Sequence, residues 1–222
     1  MKVLVTLLGL ALACLPHAIN LKAQDTRGPC PNVYPMPRVG HYAEAVFSNA
    51  QGERMPIRFA IVGEEEVGGV PHFWIEVVSV PPAIGAEVIV QMLVPYYPFE
   101  NADIAGYVVK MPGQPAQRVP KKMLDALGDT EPGPGWKDQC ATAEDLGMEP
   151  VTVSAGTFNA HHYRAGGDRP SEVWIAEVPF GMVKLVESDG EMELVEYGAD
   201  AKSSITEKPI DIELPPGGPG GV

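Results

Sequence analysis

Residues 86–94, AEVIVQMLV, place Val88, Val90, Met92 and Val94 on one parity and Glu87, Ile89, Gln91 and Leu93 on the other. Successive side chains of an extended strand point to opposite faces, so the first set makes one wholly apolar face. The second set is apolar enough to need partial cover as well. The stretch upstream, VPHFWIEVVSV at 70–80, repeats the pattern with Phe73, Ile75 and Val77 together. PIRFAIV at 56–62 sets Ile57, Phe59 and Ile61 against Arg58, Ala60 and Val62. HYAEAVF at 41–47, IAGYVVKM at 104–111, SEVWIAEV at 171–178, MVKLVES at 182–188 and EMELVEY at 191–197 continue the series. Short β-branched and aromatic runs separated by Gly and Pro predict an antiparallel sheet.

The connections agree. GEEEVGG at 63–69 reads as a loop or hairpin, with Glu64–Glu66 in an exposed turn, and SDGEM at 188–192 contains an Asp-Gly turn signal. PKKMLDALG at 120–128 predicts a short helix, opened by Pro120, closed by Gly128 and striped with Met123, Leu124 and Leu127. A Pro/Gly-rich connection follows from Asp129, with a helical turn expected around Ala141–Leu146. The end, LPPGGPGGV, has almost nothing to bury, so residues 209–222 are expected to be a disordered tail. The division is a signal segment over 1–23, one β-rich domain over 24–208, and that tail.

Lys2 followed by the apolar run VLVTLLGLALAC at 3–14 is a secretory signal, too short to span a bilayer. Two processing routes compete. Cleavage after Ala23 leaves Gln24 first, whereas ALAC resembles a lipoprotein signal with Cys14 lipidated, Leu12 departing from the usual small residue. No other segment is long enough for a transmembrane helix. Both routes leave Cys30 and Cys140, and export to an oxidising compartment makes their disulfide the expectation over two buried thiols. The formal charge of −13 sets the chain against nucleic acid and anionic membrane surfaces, and no Lys/Arg cluster reverses this locally. The location expected is therefore outside the cytoplasm, in the periplasm or anchored to the envelope through Cys14.

The adjacent His161 and His162, in TFNAHHYRAGG at 157–167, are the first candidates for chemistry. On a strand they face opposite ways, His161 with Asn159 and Tyr163, His162 with Phe158, Ala160 and Arg164. Two ligands for one ion are better served by i, i+2 spacing on a strand or i, i+4 on a helix, so no metal site is expected. There is no Gly-x-Ser-x-Gly elbow, no Ser-x-x-Lys, and no phosphate loop behind the glycine-rich VGGVP and PGGPGG. Neither a catalytic residue nor a cofactor is expected, and the chain reads as a non-enzyme.

Residues 149–198 are the most distinctive. Ser154-Ala155-Gly156-Thr157-Phe158, then Val173-Trp174-Ile175 and Pro179-Phe180-Gly181 with Val183 and Lys184, resemble exported bacterial proteins with a TVPAGTF strand pair followed by a VWI…VPFGMVKL pair. Those proteins are similar to distant members of the LolA/LolB lipoprotein carrier superfamily. The resemblance implies a mainly β fold: an antiparallel, curved, incomplete barrel around an apolar cavity, with one or two short helices as plug or lid. Strands apolar on both faces ask for the same cover independently. Gly156 is expected to relieve a bend while Phe158 packs inward, and Pro179–Gly181 to turn Trp174's strand into Val183's. The function expected is a cell-envelope binding protein with a lipid or lipoprotein partner, carrying an apolar ligand such as an acyl chain. Phe73, Ile75, Val88, Val90, Met92 and Trp174 are the candidate lining residues. The competing class is an assembly factor without a ligand, with a hydrolase of unrecognised site behind it.

Overall fold

The computed structural model describes Tyr34 and residues 36–128, 143–166 and 170–212. Residues 1–23, expected to be a signal segment and including Cys14, together with Cys30, Cys140 and residues 213–222, lie outside the described residues. Twelve strands form one sheet. They are β1 (Tyr42–Asn49), β2 (Arg54–Val67), β3 (Val70–Ser79), β4 (Val88–Val94), β5 (Gly106–Lys110), β6 (Gln117–Arg118), β7 (Glu144–Val153), β8 (Gly156–Ala165), β9 (Ser171–Ile175), β10 (Met182–Glu187), β11 (Gly190–Gly198) and β12 (Ile210–Asp211). One α-helix, α1 (Lys121–Gly128), and a single 3-10 turn at Asn101–Asp103 complete the described elements. The order is β12-β6-β5-β4-β3-β2-β1-β11-β10-β9-β8-β7, antiparallel except for β12 beside β6.

The expected antiparallel, incomplete barrel is present as an open sheet that curls without closing. One apolar cluster joins Ile75 of β3 and Val94 of β4 to Val183 of β10 and Leu194 of β11. In a flat sheet β4 and β10 would stand five strand spacings, about 24 Å, apart. A shared cluster therefore requires strong curvature, and these residues line the concave face. One end of that face is plugged. Tyr97, Phe99, Ile104 after the 3-10 turn, and Leu124 of α1 pack onto the cluster. The carbonyl of Pro120 accepts from the amides of Met123 and Leu124, so the proline opens α1 as its fixed φ favours. The tip of the β7–β8 hairpin also folds over the core. Val151, Val153, Ala155 and Phe158 pack on the cluster, and the Ala155 amide donates to the Leu194 carbonyl at 3.1 Å. Phe158 thus points inward as expected, beside Gly156 at φ +136°.

The convex face carries a second, smaller core. Ile89, Val108 and Ala116 meet Ile205, with Trp74 and Val78 against them. Ile205 belongs to the segment after β11, which straps the outside of β3–β5 and ends as β12.

Three details differ from the sequence reading. Glu64–Glu66 are not in a turn: they continue β2 opposite Phe73, His72 and Pro71. Gly68 and Gly69, at φ +59° and +82°, supply a two-residue turn, so both strands run to the tip. Glu144–Leu146 begin β7 and are not a helical turn. Here the strand takes a register shift between Asp145 and Gly147, which breaks the alternation a strand would show. Ile210–Asp211, inside the expected tail, form β12, because the strap brings them beside β6.

Candidate functional site

The candidate lining residues fall into three groups. Cross-strand register aligns Ile61, Ile75, Met92 and Tyr107 in one row of the concave face. Ile61 and Ile75 are buried, and Phe73 and Met92 pack on the same cluster, so Phe73, Ile75 and Met92 form its floor. The next row is Ala43, Phe59, Val77, Val90 and Val109 across five adjacent strands. All five are apolar, and Phe59, Val77, Val90 and Val109 are only half-buried. Beyond them lies Ala45, Ile57, Ser79 and Val88, then Phe47 opposite Met55. There the face opens into a depression of about 470 Å³ lined by Phe47, Asn49, Glu53, Met55, Pro82 and Ala83. Val88 and Val90 therefore border the open end. Trp174 is elsewhere, on β9. Phe47, Met55 and Phe59 were missing from the expected lining, although the parity of HYAEAVF and PIRFAIV places Phe47 and Phe59 on this face and one residue more upstream adds Met55.

The β1–β2 turn fixes the polar groups at the open end. Asn49 Oδ1 accepts from the amides of Gln51 at 3.0 Å and Glu53 at 2.8 Å. Its Nδ2 donates to Glu53 Oε2 at 2.7 Å. Gly52, at φ +83°, lets the chain reverse there.

His161 and His162 do lie on opposite faces of β8. His161 Nε2 is 3.0 Å from Asp145 Oδ1, and Tyr163 Oη lies 3.1 Å from its Nδ1. His162 is buried and stacks on Trp174, with ring centroids 4.1 Å apart and planes 16° from parallel. Its Nδ1 is 2.9 Å from Glu149 Oε1 and its Nε2 2.9 Å from Glu172 Oε2. Trp174 Nε1 donates to the same Glu149 oxygen at 2.5 Å. Arg164 Nε donates to Glu172 Oε1 at 2.9 Å, and this bond holds the Glu172 carboxyl below the usual carboxylate range. Both ring nitrogens of His162, the Trp174 indole and Arg164 Nε are engaged by Glu149 and Glu172, which makes a clasp joining β7, β8 and β9. Among the described residues no group of three His, Cys, Asp or Glu is arranged to hold a metal ion.

A third polar cluster was not visible in the sequence. Glu76 of β3 is 0% exposed on the convex face. Its oxygens accept from the Ser204 amide at 2.9 Å, Ser204 Oγ at 2.8 Å, Gln91 Nε2 at 2.8 Å and Ser203 Oγ at 3.3 Å. Arg58 Nη1 stands 3.8 Å away. A buried carboxylate is tolerated only with such donors, and here they come mainly from the strap. The strap is pinned again by Glu207, paired with Lys110 Nζ at 2.8 Å.

No protein-family model and no curated protein matches the chain. Two solved bacterial structures align with this chain at low TM-scores. One, from Bacteroides fragilis, is described as an exported protein with a YmcC-like fold. It is 11% identical over 75% of this chain and 99% of that one, with a TM-score of 0.38. The other, from Parabacteroides distasonis, is described as a lipoprotein. It is 11% identical over 72% of this chain and 96% of that one, with a TM-score of 0.37. Neither is described as a LolA/LolB-like carrier. No helix among the described residues is long and apolar enough to cross a membrane.

Proposed function

We propose that this chain is an exported, non-enzymatic binding protein of the cell envelope that holds an aliphatic chain, such as a lipid acyl chain, at the open end of its concave face. The observation that supports this reading is the row Ala43, Phe59, Val77, Val90 and Val109. A five-strand apolar row, half-buried at all but Ala43 and continuous with a depression lined by Phe47 and Met55, is the kind of concave apolar surface that takes small apolar ligands. The floor beneath it, Ile61, Ile75 and Val94, is already filled by the protein's own side chains, so the guest lies along the open rows. The polar clusters are occupied in holding strands and strap together, which supports binding over catalysis.

The test has two arms. Purified protein, gently extracted, is expected to release lipid, and a neutral solvatochromic dye such as Nile red is expected to bind and be displaced by added lipid. Val90→Trp should fill the row, abolishing dye binding while leaving the far-ultraviolet spectrum and cooperative unfolding intact. Lipid-free protein that binds no dye, or a folded Val90→Trp variant with unchanged binding, would overturn the reading.

A further inference from the structure

We infer that the ligand of this site is an amphiphile whose polar head is a protonated amine. This rests on the binding reading above and adds the chemistry of the head. The polar side chains at the open end are Asn49 and Glu53, set beside the apolar Phe47, Met55, Pro82 and Ala83. Asn49 is consumed by the turn. Its oxygen accepts two backbone amides and its amide donates to Glu53 Oε2, which fixes the carboxylate in place. Glu53 has no ion-pair partner among the described residues, and its second oxygen accepts no described hydrogen bond. Arg54 does not compensate it, because strand alternation puts Arg54 on the face opposite Met55.

A positioned, unpaired carboxylate beside an apolar depression complements a cation that carries an apolar chain. The same carboxylate repels the head of a fatty acid. The distance also fits. From the Met55 row to the Phe59 row is four residues of β2, about 13 Å at roughly 3.3 Å per residue, the reach of a medium-length alkyl chain. The head would hydrogen-bond to Glu53 while the chain runs over Ile57 and Val88 to Phe59, Val77 and Val90.

The test is calorimetric titration of the full chain with decylammonium, decanol and decanoate, each below its micellar concentration. Decylammonium is expected to bind at least about tenfold tighter than decanoate, with decanol between them. Glu53→Gln, on an exposed turn, should bring decylammonium to within about twofold of decanol and leave decanol unchanged. Glu66→Gln, an exposed carboxylate at the far β2–β3 tip, makes the same change in net charge and should preserve the order. Flotation with phosphatidylethanolamine and with phosphatidylglycerol vesicles separates a lipid headgroup from a free amine as the source. Preference for decanoate, or an amine preference that survives Glu53→Gln, would overturn the inference and leave the binding reading standing. Failure of all three probes to bind would overturn the binding reading itself.

Discussion

The ring of Phe180 meets the ring of Tyr97 edge-to-face, with centroids 5.3 Å apart and planes at 88°. Tyr97 follows β4 and Phe180 precedes β10, strands five spacings apart in the sheet. Such a contact closes the curl of the sheet across its plugged end. Tyr34 and Phe59 extend it, with centroids 5.9 Å from Tyr97 and from Phe180 respectively. Aromatic pairs in these geometries contribute beyond the area they bury. The backbone is bent to reach them: Phe180 sits at φ +64° in the Val178–Gly181 turn, a conformation that side-chain-bearing residues rarely adopt. The Ala176 amide donates to the Gly181 carbonyl and the Gly181 amide to the Val178 carbonyl, and these bonds hold the bend.

Phe180→Ala should therefore cost about 3–5 kcal/mol, the range for deleting a buried aromatic ring. Urea unfolding followed by fluorescence measures it. Phe180→Leu, which keeps much of the volume, should cost clearly less. Equal losses for the two variants would show that the ring's contacts with Tyr97 and Phe59, which leucine does not restore, carry the contribution and its volume does not.

Glu76→Ala should destabilise by roughly 1–3 kcal/mol, because it removes the acceptor of the Ser204 amide, of Arg58 and of the Gln91 amide, and leaves the buried Gln91 without that partner. The loss should appear locally as well. With its anchor gone, the strap should be cut by trypsin after Lys202 faster than any site in the sheet. Glu76→Gln keeps the shape and some acceptors, so its effect should be smaller. Cleavage at Lys202 as slow as in the wild type would mean that Ile205 and Glu207 hold the strap unaided.

The strands were readable in advance because their period of two is strong. The Asp-Gly signal at 189–190 marked a real hairpin, with Ser188 and Asp189 in the turn and Gly190 opening β11 opposite Glu187, whereas the β2–β3 hairpin was expected but its turn is confined to Gly68 and Gly69. The curl was not readable, because no local pattern shows that Tyr97 and Phe180 will touch. Nothing local to Glu76, between Ile75 and Val77, marks it as buried. Its anchor, Ser204, lies 128 residues away, and only the folded strap brings it there. The acids of Glu64–Glu66 misled for a related reason, since charge marks exposure and not the end of a strand. Of the candidate lining residues, Val88 and Val90, chosen by parity, lie on the half-buried rows of the face. Phe73, Ile75 and Met92 share that parity but lie deeper along the face, a distinction that depends on which rows the plug covers.

Glu207 gives a pH dependence with a definite sign. Its carboxyl is lowered to about 2, first by hydrogen bonding to Lys110 and then by backbone amides. A depressed folded-state value means that its contribution is present above the unfolded range near about 4.3 and is lost as pH falls toward about 2. Lys110→Met removes the main cause. The melting temperatures of wild type and variant should differ most at neutral pH and converge between those limits. A gap that persists unchanged at pH 2 would assign it to the Lys110 stem. Both side chains are part-exposed, so the gap should also shrink in high salt.

The signal over residues 2–14 predicts export, and Cys30 and Cys140 are then the cysteines expected to pair. Protein recovered from an oxidising compartment should take up two alkyl groups only after reduction, read by intact mass. Alkylation without reductant would establish free thiols. The same spectrum distinguishes Gln24 as the first residue from a diacylglyceryl group on Cys14.

The two adjacent histidines should separate cleanly by substitution. His161 is a third exposed and pairs with a half-exposed Asp145, so His161→Ala should cost no more than about 0.5 kcal/mol. His162 loses more. His162→Ala removes the stack on Trp174 and leaves Glu149 and Glu172 with Trp174 Nε1 and Arg164 as their remaining donors. A stacked pair contributes about 0.5–1.5 kcal/mol, and hydrogen bonds to part-exposed carboxylates add little more, so a loss of about 1–2 kcal/mol is expected. His162→Phe keeps the stack and discards both hydrogen bonds, so it should fall between Ala and the wild type. If His162→Phe is as damaging as His162→Ala, the carboxylate contacts hold the clasp and the stack is incidental. Metal content measured by emission spectroscopy on protein purified without chelator should stay at background throughout. Stoichiometric zinc in the wild type that disappears from His162→Phe would replace the clasp by a metal centre bracketed by Glu149 and Glu172.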